Sequence, residues 1–146
     1  MIPINFDAGK IGDWGRGFGF VVWDSLGDLM MAGSQQLAGF DGFEIADAEA
    51  CLFGLHHTLS SAGYSSLVIE GNLLSVISKL RNKAHLNSLL GFYISELLSL
   101  IASCSYFAWN CVKRGGNQMA HDAAHYQSYL FRFKLWIWIE EIPTSL

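Results

Sequence analysis

The chain has 146 residues, 51% of them hydrophobic and 15% charged, enough for one domain with a real core and too little for two comfortable ones. Its 9 Lys+Arg against 13 Asp+Glu leave a net charge of -4, which argues against a protein that grips nucleic acid chiefly by neutralising phosphates. Three cysteines, Cys51, Cys104 and Cys111, include no CxxC pair, so neither a disulfide framework nor a zinc knuckle is implied. A reducing, intracellular setting fits, cytoplasmic or nuclear. The N-terminus, with Pro3, Asn5 and Asp7, lacks the basic and apolar regions of a signal peptide. Leu86 to Ser103 is the most membrane-like run, but Glu96 and scattered Ser and Asn interrupt it, and the chain is expected to be soluble.

Ile4-Asn5-Phe6-Asp7-Ala8-Gly9 reads as a strand that carries one acid to a sheet's end, a geometry that suits a metal ligand. The plainer use of Asp7 is turn chemistry. Gly17 to Asp24 and Leu29 to Gly33 read as a hairpin joined by the turn residues Asp24-Ser25-Leu26-Gly27-Asp28, giving three early strands in an antiparallel meander. After a loop over Gly39 to Phe43 the period changes. Ile45, Ala48, Leu52, Leu55 and Leu59 predict a helix over Glu44 to Ala62, closed by Gly63. Glu49 falls on that apolar stripe, where an acid must pair, hold a metal or reach solvent at the border.

Ser66 to Glu70 predicts a strand buried on both faces, set parallel to the first through a right-handed crossover. Asn72 can cap a helix from Leu73 to Leu80, and Leu86 to Ala102 predicts another. Tyr106 to Val112 is the fifth strand. Gly115-Gly116-Asn117 breaks the chain, and Asn117 can cap a last helix whose Ala120, Ala123 and Ala124 permit close packing on a sheet.

This order of elements resembles ribonuclease H type 1 domains, as do Asp7-Ala8 ending the first strand, Ala48-Glu49-Ala50 in the first helix, Glu70-Gly71-Asn72 after the fourth strand, and Asn117-Gln118-Met119-Ala120-His121 opening the last helix. It is most similar to the plant group of these domains, found at the end of retrotransposon-type reverse transcriptase proteins, whose terminus the Trp136-Ile137-Trp138-Ile139-Glu140 run also resembles. The resemblance implies an α/β, three-layer ribonuclease H-like fold: a five-stranded mixed sheet flanked by helices, over residues 1–130, followed by an aromatic C-terminal tail, 131–146. It implies an endonuclease that hydrolyses the RNA strand of RNA/DNA hybrids at two divalent ions, Mg2+ or Mn2+, because two cations on one phosphodiester need several hard oxygen ligands from different elements.

By that resemblance Asp7, Glu49 and Asn72 are the metal ligands and His121 the fourth catalytic position. Asn72 and His121 stand where the family has carboxylates. An amide oxygen brings no charge, and an imidazole nitrogen suits Mn2+ better than Mg2+, so a depleted site of low activity is expected. Glu70 and Asp122 could substitute only against strand alternation and helical rotation. Arg16, Lys113, Arg114 and Asn117 are the local candidates for nucleic-acid contact, although surface solubility explains the three basic residues equally well.

Two readings of other classes stand beside this one. His121 and His125, at i and i+4 around Asp122, have the spacing of a zinc hydrolase motif whose middle acid is normally Glu, while His56 and His57 read as border residues. Alternatively the domain keeps the fold without the chemistry and acts as an interaction module. The run from Phe131 to Ile139 would then meet a partner, if it does not fold back on the domain.

Overall fold

The structure, a computed structural model, describes residues 2–62, 66–71, 89–110, 118–124 and 135–139. Strands β1 (Ile2–Ile11), β2 (Gly15–Trp23) and β3 (Leu29–Ala38) form the antiparallel meander, with Asp7 opposite Gly19 and Phe20 opposite Gly33. The Asp24 carboxylate holds the β2–β3 turn by accepting the Leu26 and Asp28 backbone N–H groups, each at 2.8 Å. β3 runs to Ala38, past the Gly33 expected from sequence, because β2 pairs with its polar Ser34-Gln35-Gln36 stretch on one side and a further strand pairs with Ser34 and Gln35 on the other.

Helix α1 (Phe43–Ala62) crosses to β4 (Ser66–Glu70), parallel to β1, and helix α2 (Leu89–Ala102) leads to β5 (Tyr106–Asn110), parallel to β4. Helix α3 (Gln118–Ala124) packs against the meander strands. The helix expected over Leu73 to Leu80 lies outside the described residues, as do Asn72, Lys113, Arg114, Asn117 and His125.

The five expected strands are present in a mixed sheet, and a sixth extends it. β6 (Leu135–Ile139) pairs antiparallel with β3, from Met31 opposite Ile139 to Gln35 opposite Leu135, giving the order β5-β4-β1-β2-β3-β6. The C-terminal run expected as a tail thus contributes a strand of the same sheet.

Alternation assigns the two faces of the sheet. Ile4, Phe6, Ala8, Phe18, Phe20 and Val22 are buried in the main core beneath α1. Asn5 and Asp7 take the opposite face, with Gly17, Gly19 and Val21 beside them on β2, and there α3 packs. α1 sits close to the sheet because its inner side is made of small residues: a Cβ added at Gly54 would lie 2.9 Å from the Phe20 Cβ, and Ala46, Ala50 and Cys51 are almost wholly buried. Of its larger apolar residues, Phe53 and Leu55 are buried in the core, while Leu52 and Leu59 are only partly buried at the margin.

Candidate active site

The last β1–β4 pair is Asn5 opposite Glu70, while β1 continues to Ile11 with β2 alone as its neighbour among the described residues. Among the described residues the two parallel strands part beyond Asn5 and leave a notch at their carboxyl ends, the position at which open α/β sheets place their sites. Asp7 is the first residue past that pair on the same face. Its Oδ2 lies 2.8 Å from His121 Nδ1, so α3 delivers its imidazole to the first-strand acid. The resemblance brought these two positions together, and the structure does the same.

The α1 acid that feels the charge of Asp7 is Asp47. Burial first, and then the charge of Asp7, push its carboxyl from 3.8 up to about 7. No ion pair to Asp47 occurs among the described residues. On the same helical side, burial and then the charge of Asp47 push the Cys51 thiol up. A carboxylate this costly to ionise beside a second one is the electrostatic condition that a bound cation relieves.

Glu49, the acid expected here, stands two residues on, about 200° around the helix from Asp47. It is 8% exposed and holds Arg16 in a two-pronged ion pair, Nε to Oε1 at 2.8 Å and Nη2 to Oε2 at 2.9 Å. Tyr93 of α2 gives Glu49 a hydrogen bond; burial, followed by the Glu49 charge and this bond, pushes the phenol's pKa up. Glu49 lines a groove with Leu52, Phe53, His56, Tyr93 and Glu96, on the side of α1 turned to β3 and α2. Its oxygens are committed to Arg16 and Tyr93.

Arg16, expected as a contact for nucleic acid, is committed internally as well. Its Nη1 also donates to the Ala38 and Gly39 carbonyl oxygens, so one guanidinium spans β2, the β3–α1 connection and α1. Glu70 does not turn into the notch, because its Oε2 accepts the Asn5 Nδ2 at 3.1 Å, while Asn5 Oδ1 accepts the Trp23 indole N–H at 2.8 Å. Asp122 accepts a hydrogen bond from Gln118 at 2.8 Å. Both acids considered as substitutes are therefore engaged elsewhere.

The zinc motif gains nothing from this geometry: His121 turns to Asp7, and among the described residues no group of three or more His, Cys, Asp or Glu side chains is placed to hold a metal. His57 packs on Phe20 and Phe53, and burial followed by the neighbouring His56 lowers its pKa. His56 is an exposed border residue, as expected.

Sequence periodicity passed over Asp47 because it was weighted by large apolar residues, of which Leu52 and Leu59 lie at the margin of α1 while Leu55 is fully buried. The signal that finds it is the small-residue row Asp47, Ala50, Cys51, Gly54 and Thr58, spaced at three and four, which marks the side of closest approach.

The mixed sheet, its helices on both faces and acids gathered where β1 outruns β4 define a ribonuclease H-like domain. The fold is similar to that of the RNase H1 of Halobacterium salinarum, with a TM-score of 0.76 and 17% identity over 85% of this chain and 94% of that one. It is also similar to the N-terminal RNase H domain of a Mycobacterium tuberculosis protein (TM-score 0.74, 17% identity, 85% and 90% coverage). A third similar structure is the LC11 RNase H1 in complex with an RNA/DNA hybrid (TM-score 0.74, 15% identity, 86% and 95% coverage). Among curated proteins no relative matches by sequence. The chain belongs to the reverse transcriptase-like family, whose model matches residues 5–127.

Proposed function

We propose that this domain binds RNA/DNA hybrids and hydrolyses their RNA strand, with Asp7 and Asp47 holding a divalent cation, Mg2+ or Mn2+. The observation that carries the reading is the Asp47 carboxyl, partly buried on α1 and pushed up to about 7 by burial and then by the charge of Asp7. Two carboxylates from different elements, Asp47 held against its charge by burial and by Asp7, are the donor chemistry a hard cation takes. Asn72, two residues past Glu70 in the chain, supplies an amide oxygen at the third family position.

When bound, the cation supplies charge stabilisation at the phosphate and lowers the pKa of a water. The chain's own residues do the rest. Asp7 is held by the His121 imidazole, which fixes the rotation of its carboxylate. Asp47 gives up its proton as the cation enters, so binding at neutral pH releases protons. His121, half-exposed beside Asp7, is placed to carry a proton at the reacting phosphate. Hydrogen-bond donors for the nucleic-acid backbone are assigned to Lys113, Arg114 and Asn117, next to α3 in the chain, and no longer to Arg16.

A binding module without hydrolysis is the second reading, and the Asp7–His121 contact favours it. That contact occupies one oxygen of the anchoring ligand, and at His121 a nitrogen stands where the family has an acid.

Cleavage of a labelled RNA/DNA hybrid in Mg2+ and in Mn2+ separates the readings. Hydrolysis that disappears in Asp7→Asn and Asp47→Asn supports the enzyme. Hybrid binding without cleavage, with cleavage gained in Asn72→Asp combined with His121→Asp, supports the module. Full activity in Asp47→Asn would remove the assignment of the cation to this pair.

A further inference from the structure

Arg16 and Glu49 are left over from the proposed chemistry, yet they form the most extensively bonded polar pair described. Arg16 reaches Glu49 with two nitrogens and the carbonyls of Ala38 and Gly39 with its third, linking three elements through one rigid plane. The place where this plane grips α1 is two residues along the helix from Asp47 and on its other side. A helix gripped on one side by a planar fork cannot turn about its axis without breaking both prongs. Side chains stand about 5–6 Å from the axis, so a turn of about 20° moves a carboxylate by about 2 Å. Displacements of about 1 Å already matter greatly to preorganised sites.

We infer that the Arg16–Glu49 pair is a positioning device which sets the rotation of α1 and thereby the placement of Asp47 for its cation. The inference rests on the Asp7–Asp47 reading above. Tyr93 is a separate support, joining Glu49 from α2 without entering the fork. Two properties of the fork then divide: its charge stabilises the fold, and its plane orients the cation site. Lysine at position 16 keeps the charge and loses the plane.

The test is calorimetric titration with Mn2+ at pH 7.5, alongside circular dichroism, on wild type, Arg16→Lys, Tyr93→Phe and Asp47→Asn. Expected are binding in wild type, none in Asp47→Asn, and at least fivefold weaker binding in Arg16→Lys that still folds. Tyr93→Phe, which leaves the fork intact, should bind within twofold of wild type. Arg16→Lys binding within twofold of wild type would overturn the inference, as would equal weakening by Tyr93→Phe, since that is general loosening. If Arg16→Lys does not fold, Glu49→Asp, one methylene too short for the fork, takes its place under the same limits. Wild type silent to Mn2+, or Asp47→Asn binding normally, would defeat the reading of the site and the inference with it. Either is distinguishable, because it does not involve position 16.

Discussion

Replacing Asp47 by Asn removes the one group whose ionisation the fold resists most clearly among the described acids. In the folded chain its carboxyl titrates at about 7 against an ordinary 3.8, so the folded state holds a proton that the unfolded chain has released. The sign follows: this contribution to stability is fully present below about pH 4, is lost as pH rises through 7, and is absent above that. The interval corresponds to about 4 kcal/mol. The partial exposure of Asp47 and the need to satisfy the Asn amide reduce the gain expected at pH 8 to about 1–3 kcal/mol. The assay is urea unfolding of wild type and Asp47→Asn in EDTA at pH 5 and pH 8. The variant should be the more stable at pH 8, with the difference shrinking or reversing at pH 5. Adding Mn2+ at pH 8 should raise wild-type stability by mass action and leave the variant unmoved. A variant no more stable than wild type at pH 8, or a difference independent of pH, would refute the argument that Asp47 is held against its charge.

Glu49→Ala should act in the opposite direction, destabilising by about 3 kcal/mol in urea unfolding, because Arg16 is only 15% exposed and would keep an uncompensated charge. A loss below about 1 kcal/mol would mean that the pair is a surface ornament. Asn5→Ala strips hydrogen bonds from both Trp23 and Glu70 at a residue 3% exposed, and about 2 kcal/mol of stability should go with it, read by the same unfolding curves. Removing residues 131–146 takes away β6 and bares the backbone of Met31 to Gln35. Light scattering should then show concentration-dependent association, and a monomer of unchanged melting temperature would count against the pairing.

How much could be read from the chain varied with the range of the interaction. The alternation of Ile4, Phe6 and Ala8 with Asn5 and Asp7 is local, and it made β1 legible as a strand, with Asp7 on the side where His121 lies. The β2–β3 hairpin announced itself through Asp24, Gly27 and Asp28 for the same reason. The choice between Asp47 and Glu49 is not local. It depends on which side of α1 lies nearest the sheet, which is decided by the missing side chain of Gly54 against Phe20. The partner of Glu49 was hidden further still, since Arg16 lies 33 residues away and looks in sequence like any surface cation. β6 carries no turn signal that ties it to β3, and its uninterrupted apolar composition fits a tail, a docking segment or a strand equally well.

On the far face, the spacing between α3 and the sheet is set by an absence of atoms at Gly17, where an added Cβ would come within 2.2 Å of the Ala124 carbonyl oxygen. Glycine there works as a gauge block: it fixes the thickness of one layer, and so the length of the bridge from Asp7 to His121. Gly17→Ala would insert a shim at one end of a seven-residue helix and lift or tilt it, lengthening that bridge with neither of its ends altered. The histidine's environment, followed by NMR, should therefore respond to a methyl group placed one turn away, and the reach of the site across the sheet becomes a matter of tolerances measured in a single carbon atom.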